Sequence, residues 1–236
     1  MLVDDLKAAG GELELNVEPG AIAKTSDGFR VETSTGAIAC RSLVIATGGK
    51  SIPKMGATGY AYEIARQFGL KIIEPRPAVV PFTLEGAKLD PVKELAGVSV
   101  EARVATGKTG FDEGMLFTHR GLSGPSVLQI SSYWREGDEV VIDLARGRDV
   151  FAELKKERVE RPKLQLDNAL THFLPKRLAE QIAARTYQTA RLADLSDAKL
   201  REVAAAVNAW RIVPDGTEGW RTAEVTIGGV DTDGLS

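Results

Sequence analysis

The run Leu43-Val44-Ile45-Ala46, followed at once by Thr47-Gly48-Gly49, restricts the folds open to this chain more than any other stretch. Four apolar residues without alternation suit a strand covered on both faces, as in a parallel sheet. At Thr47 the side chains shrink. Small residues beyond the C-terminal end of such a strand let a backbone or a flat ligand approach closely. An ordinary glycine-rich turn has the same spacing, so the motif alone leaves both readings open.

The segments before it supply context. Leu2, Val3 and Leu6 share a helical face, and Gly10-Gly11 is a natural C-cap, so residues 1–9 read as the end of a helix. Glu12–Leu15 reads as a strand. Ala21–Lys24, Phe29–Thr33 and Ala37–Cys40 are separated by Ser26-Asp27-Gly28 and Ser34-Thr35-Gly36, which predicts a three-stranded meander. Beyond the glycines, Thr58 is a candidate cap for a helix with Ala61, Ile64, Ala65 and Phe68 on one face, closed by Gly69. Leu70–Ile73 is a further strand. Pro75, Pro77 and Pro81 then read as an exit into another domain, since proline cannot serve a central ladder.

From Phe82 to about Ala145 the pattern is antiparallel β. Val98, Val100, Ala102 and Val104 alternate with polar residues, and Met115–Thr118 and Glu139–Leu144 are further strands. Gly121–Ser126 opens a short helix with Pro125 at its first position and Val127, Ile130 and Trp134 facing inward. Its amides, beside His119 and Arg120, could hold an anion; a tight strand-to-helix turn explains the same residues. Residues 150–212 are helical, with a stripe at Leu166, Leu170, Phe173 and Leu174 and a restart at Pro175 leading to Leu178 and Ile182. A last helix is capped by Ser196 and buries Leu200, Val203, Val207 and Trp210. His172, on the first stripe, reads as a satisfied core histidine. Val225, Ile227 and Val230 around Gly228-Gly229 return to strand character.

Charge and cysteine content exclude several classes. A net charge of −3 argues against a nucleic-acid or anionic-membrane partner. Only Cys40, His119 and His172 are present as Cys or His, so neither an internal disulfide nor a usual zinc site is expected. No apolar run reaches the ~18 residues of a membrane span. A cytoplasmic protein acting on a small-molecule substrate fits these limits; oligomeric state is not specified.

Four stretches carry a resemblance: Leu43–Gly49, Gly56-Ala57-Thr58-Gly59, Leu116–Ser126 and Gly216–Val230. In this order they resemble the bacterial FAD-dependent oxidoreductases of the YhiN/BaiN type, also described as aminoacetone-oxidase-like flavoproteins. The resemblance implies an α/β plus α+β fold. Residues 1–81 and 213–236 would form an incomplete Rossmann-type FAD domain with a β-meander. The insert would be a β-barrel-like part (82–149) and a helical part (150–212). It also implies that Ala46, Thr47, Gly48 and Gly49 pass beside FAD, and that Thr222, Ala223, Glu224, Gly228 and Gly229 lie on the substrate side of the isoalloxazine. Pro19 occupies the position whose main chain commonly meets the adenine. Proline has no N–H to donate, though its carbonyl can accept.

The sequence departs from that family in having no Gly-x-Gly triplet, the cradle for the FAD pyrophosphate. It also ends before the family's C-terminal flavin-closing stretch. The intact protein is therefore expected to be a flavoprotein oxidoreductase moving a hydride between an organic substrate and FAD, with NAD(P)H a candidate electron donor. The chain alone is expected to be a catalytically silent fragment that holds flavin weakly. A third reading makes the helical part a protein-interaction module. Catalytic residues are not specified; Glu224 and His119 are conceivable, but a strand-end carboxylate and a loop imidazole explain them better.

Overall fold

The computed structural model describes residues 1–235. Helix α1 (Leu2–Ala8) ends where Gly10, at φ 78°, sends its N–H to Lys7 O and Gly11 bonds Leu6 O. Strands β1 (Pro19–Thr25), β2 (Gly28–Thr33) and β3 (Gly36–Cys40) form the expected meander, antiparallel throughout. Helix α2 (Tyr60–Gln67) packs over it through Ile64, and Tyr60 and Gln67 donate to the β1 carbonyls of Gly20 and Ile22. The cap lies one residue later than expected: Gly59 is the N-cap, while Thr58 Oγ1 accepts from Tyr60 N.

Strand β4 (Ile72–Ala78) contains Pro75 and Pro77. Two of the prolines at the expected exit thus lie within a strand. It pairs on one side only, with β12 (below), and the register shifts between Ile227 and Gly229, opposite Ile73–Arg76. A two-stranded ribbon with a bulge leaves prolines a free edge. Next come β5 (Phe82–Thr83), α3 (Gly86–Glu94), β6 (Ser99–Thr106), β7 (Thr109–Phe117), β8 (Gly121–Ser123), α4 (Pro125–Ser131) and β9 (Val140–Asp143). Helices α5 (Val150–Glu160), α6 (Leu166–Leu170), α7 (Lys176–Thr186) and α8 (Asp197–Asn208) follow. The chain closes with β10 (Trp210–Ile212), β11 (Gly216–Thr217) and β12 (Val225–Val230).

Strands β10-β9-β6-β7-β8-β5-β11 form one seven-stranded antiparallel sheet. It does not close into a barrel: β10 and β11 are its edges. Val100, Ala102 and Val104 turn inward with Met115 and Phe117, and Val127 and Ile130 of α4 cover them. The same apolar cluster continues without a break into Leu154, Leu170, Leu178, Leu200 and Val207 of the helices. A second, far smaller cluster joins Ile22, Val31 and Ile64 in the meander unit.

Four expectations are corrected. Leu43–Ala46 is extended but unpaired; Leu43 packs on the small cluster while Val44 is 82% exposed. A strand needs a hydrogen-bonded neighbour, and no strand pairing among the described residues includes this run. Glu12–Leu15 is likewise not a strand, for want of a ladder partner. Trp210 leaves the helix: α8 stops at Asn208, and Trp210 opens β10 opposite Ile142, its ring stacked on Phe117 at 6.1 Å. His172 is not in the core either. It is 40% exposed, with Nδ1 3.3 Å from Glu157 Oε1.

Candidate functional site

The residues expected to flank a cofactor fall on three elements. Ala46, Thr47 and Gly48 lie exposed on the extended segment after the meander. Among the described residues no protein group accepts from a backbone N–H of Leu43 through Gly49. An exposed strip of free donors is available to a ligand or to water. The segment is tied down just beyond it. Lys50 N donates to Thr226 Oγ1 at 3.2 Å, Ser51 Oγ lies 3.0 Å from the same hydroxyl, and Ile52 N donates to Trp220 O at 3.0 Å. Residues about 175 positions apart are thereby joined.

Gly49 is required by this junction. A Cβ there would lie 2.5 Å from Thr226 Oγ1 and 3.2 Å from the Tyr62 hydroxyl. Gly228, at φ 87° in the β12 bulge, would place a Cβ 2.6 Å from Glu74 O. These two glycines let β12, α2 and the extended segment converge. Between them lies a cleft of about 420 Å³, lined by Gly49, Ser51, Tyr62, Glu224, Thr226 and Gly228. The Lys50 ammonium sits at its edge, 5.9 Å from the ring centres of both Tyr62 and Trp220, within cation–π range.

Of the residues marked by the sequence, Gly49, Glu224 and Gly228 meet in this cleft, and Gly229 lies behind it against Tyr62. Ala223 is fully buried, and Glu224 N donates to Val79 O at 3.2 Å. Thr222 Oγ1 is buried without a hydrogen-bond partner among the described residues. Pro19 opens β1, outside the cleft lining, paired with Thr33. His119 is exposed in the turn between β7 and β8, also outside that lining. Tyr62 and Ser51 had no local signature. Tyr62 lies one residue off the helical stripe read from the sequence, and Thr226 falls inside the Thr222–Gly229 stretch that the resemblance marks.

Two β-branched residues beside the cleft hold left-handed backbone: Ile52 at φ 56° and Val79 at φ 49°. Side chains of that shape rarely adopt it, and such conformations cluster at functional sites.

Fold and cleft together define a mixed α/β protein whose antiparallel sheets and helical layer stand beside a small-residue cleft. The family described as HI0933-like protein barrel and H2TH domain matches residues 76–225, and the chain belongs to it. The chain is 44% identical over 242 residues to the ribosomal RNA dihydrouridine synthase of Escherichia coli (strain K12), covering all of this chain and 60% of that protein. It is 42% identical over 201 residues to the protein of the same name from Haemophilus influenzae, covering 84% of this chain and 49% of the other. A 3-dehydro-bile acid delta(4,6)-reductase of Clostridium scindens is 24% identical over 248 residues, covering 98% of this chain and 60% of that one. The chain thus spans about half to three-fifths of the length of these curated relatives. Among the described residues no helix is long and apolar enough to cross a membrane.

Proposed function

We propose that this chain is the insert-bearing part of an FAD-dependent oxidoreductase that reduces a ring carbon–carbon double bond. The relatives' names support the reaction class: making dihydrouridine, and reducing delta(4,6) bonds of a 3-dehydro bile acid, both add two hydrogens across a ring double bond conjugated to a carbonyl. The observation that carries the reading is the convergence of Gly49 with Glu224 and Gly228 on one cleft, beside a strip of unpaired backbone donors at 43–49. The strip and the orphaned Thr222 hydroxyl fit the ring end of a flavin. The pyrophosphate end has no Gly-x-Gly cradle in this sequence.

When bound, FAD would supply the hydride chemistry. Ala46–Gly49 would border it with small side chains, Pro19 would offer a carbonyl toward the adenine, and Thr222, Ala223, Glu224, Gly228 and Gly229 would face the substrate side. Tyr62 and Ser51 offer hydroxyls to orient a substrate carbonyl.

The substrate class favoured by the 44% and 42% relatives is a uracil ring in RNA. The chain's net charge of −3 speaks against nucleic acid as an average, but residues 150–212 hold twelve Lys and Arg against eight Asp and Glu. That part would carry the phosphate contacts. A small-molecule substrate is the second reading, favoured by the acidic remainder of the chain.

Titration of the purified chain with FAD, followed by visible absorbance, tests the cofactor. Weak but saturable binding is expected, since the pyrophosphate cradle is missing, and Thr47→Trp, a change at an exposed position, should weaken it at least tenfold further. Absence of binding favours a chain that does not hold flavin by itself, and binding indifferent to the variant overturns the placement of FAD beside residues 46–49. Turnover of an RNA against a steroid enone by the flavin-loaded, reduced protein separates the two substrates.

A further inference from the structure

A second cavity, of about 220 Å³, opens between the sheet and the helices, away from the cleft above. Its floor is the stacked pair Phe117 and Trp210, and Val92, Leu178 and Ile182 form walls. Its volume exceeds the ~150 Å³ of an apolar cavity that takes up benzene. Arg185 stands in the lining, on the last turn of α7. Among the described residues Arg185 has neither an ion-pair nor a hydrogen-bond partner, and the lining contains no Asp or Glu. Gln181 donates to Pro91 O at 2.7 Å and to Glu94 Oε2 at 3.2 Å, and the Thr186 hydroxyl to Ile182 O at 2.8 Å.

An apolar chamber with one exposed, unpaired guanidinium at its rim and no carboxylate in its lining matches a ligand of complementary shape and charge. We propose that this cavity is a binding site for a small amphipathic monocarboxylate, its apolar body over the Phe117–Trp210 stack and its carboxylate on Arg185. A guanidinium presents paired N–H donors in the geometry of a carboxylate, which selects an acid over its amide. Because the lining draws on α3, β7, α7 and β10, an occupant would brace the helical layer against the sheet. The site is independent of flavin.

Calorimetric titration of the 236-residue chain with 3-phenylpropionate, and with its neutral isostere 3-phenylpropionamide, tests this. Saturable one-to-one binding of the acid is expected, with the amide at least tenfold weaker. Arg185→Gln should bring the acid down to the affinity of the amide without lowering the thermal midpoint, since Arg185 is exposed. Ala206→Phe, which fills the chamber, should abolish both. Failure of the acid to saturate, equal affinity for acid and amide, or binding unchanged in Arg185→Gln would each overturn the proposal, whether or not the Ala206 variant folds.

Discussion

At the scale of single residues, Ile52 and Asn208 show what a sequence hides. Ile52 follows the cleft residue Ser51 and holds φ 56°, which costs a β-branched residue about 1–2 kcal/mol. Ile52→Asn should stabilise the chain by about 0.5–1 kcal/mol in urea denaturation, because Asn tolerates this conformation. Retained flavin affinity in that variant would mean the strain is not used for binding. Asn208 ends α8 and is a junction: its amide donates to Asp143 Oδ1 at 2.8 Å and Arg148 O at 2.9 Å, and its oxygen accepts from Val150 N at 3.3 Å. Asn208→Ala should cost about 2–3 kcal/mol by the same assay, at about 1 kcal/mol for each lost bond. Neither role was legible beforehand, since both depend on partners distant in sequence. Gly49 and Gly228 were legible as glycines, but not the reason for them, which is the approach of Thr226 and Glu74.

At the scale of elements, periodicity was a good guide wherever one face is buried. The alternation of β6, the Pro125 start of α4 and the Ser196 cap of α8 all follow from local patterns, and Ser196 Oγ accepts from Lys199 N. Where two helices meet, charge adds to packing. Asp197, at the start of α8, receives Arg158 of α5 at 2.5 Å and Lys155 at 3.1 Å. The Arg158 hydrogen bond, then that of Lys155, holds the Asp197 carboxyl below its ordinary value. A carboxyl whose pKa is lower folded than unfolded contributes stability above the unfolded value of ~3.9 and loses it as pH falls through the folded one. Stability measured from pH 6 to 2 should therefore fall, and Asp197→Asn should fall less steeply below about pH 4. An identical slope in the variant would show that this pairing does not couple to folding. The elements that failed were Leu43–Ala46 and Glu12–Leu15, where propensity was right but no neighbouring strand completes a ladder.

At the scale of the whole molecule, the large cluster runs from Phe82 to Ile212 through sheet and helices alike, while the meander unit rests on Ile22, Val31 and Ile64. Opening free energy follows buried apolar contact, so the two should separate under hydrogen exchange. Amides of β6, β7 and α8 should be the slowest, and those of residues 19–47 should exchange orders of magnitude faster; uniform protection would refute this division. If FAD binds beside residues 46–49 as proposed, it should slow the second group selectively. The sequence by itself determined the meander, the β-rich middle, the helical layer and the small residues at 46–49 and 228–229, because periodicity, capping and side-chain size act within a few residues. Only the tertiary structure decided that the sheet stays open, that Trp210 stacks on Phe117, and that Thr226 and Tyr62 meet Gly49 to form a cleft. Those outcomes depend on which distant surfaces come into contact, and no local pattern encodes that.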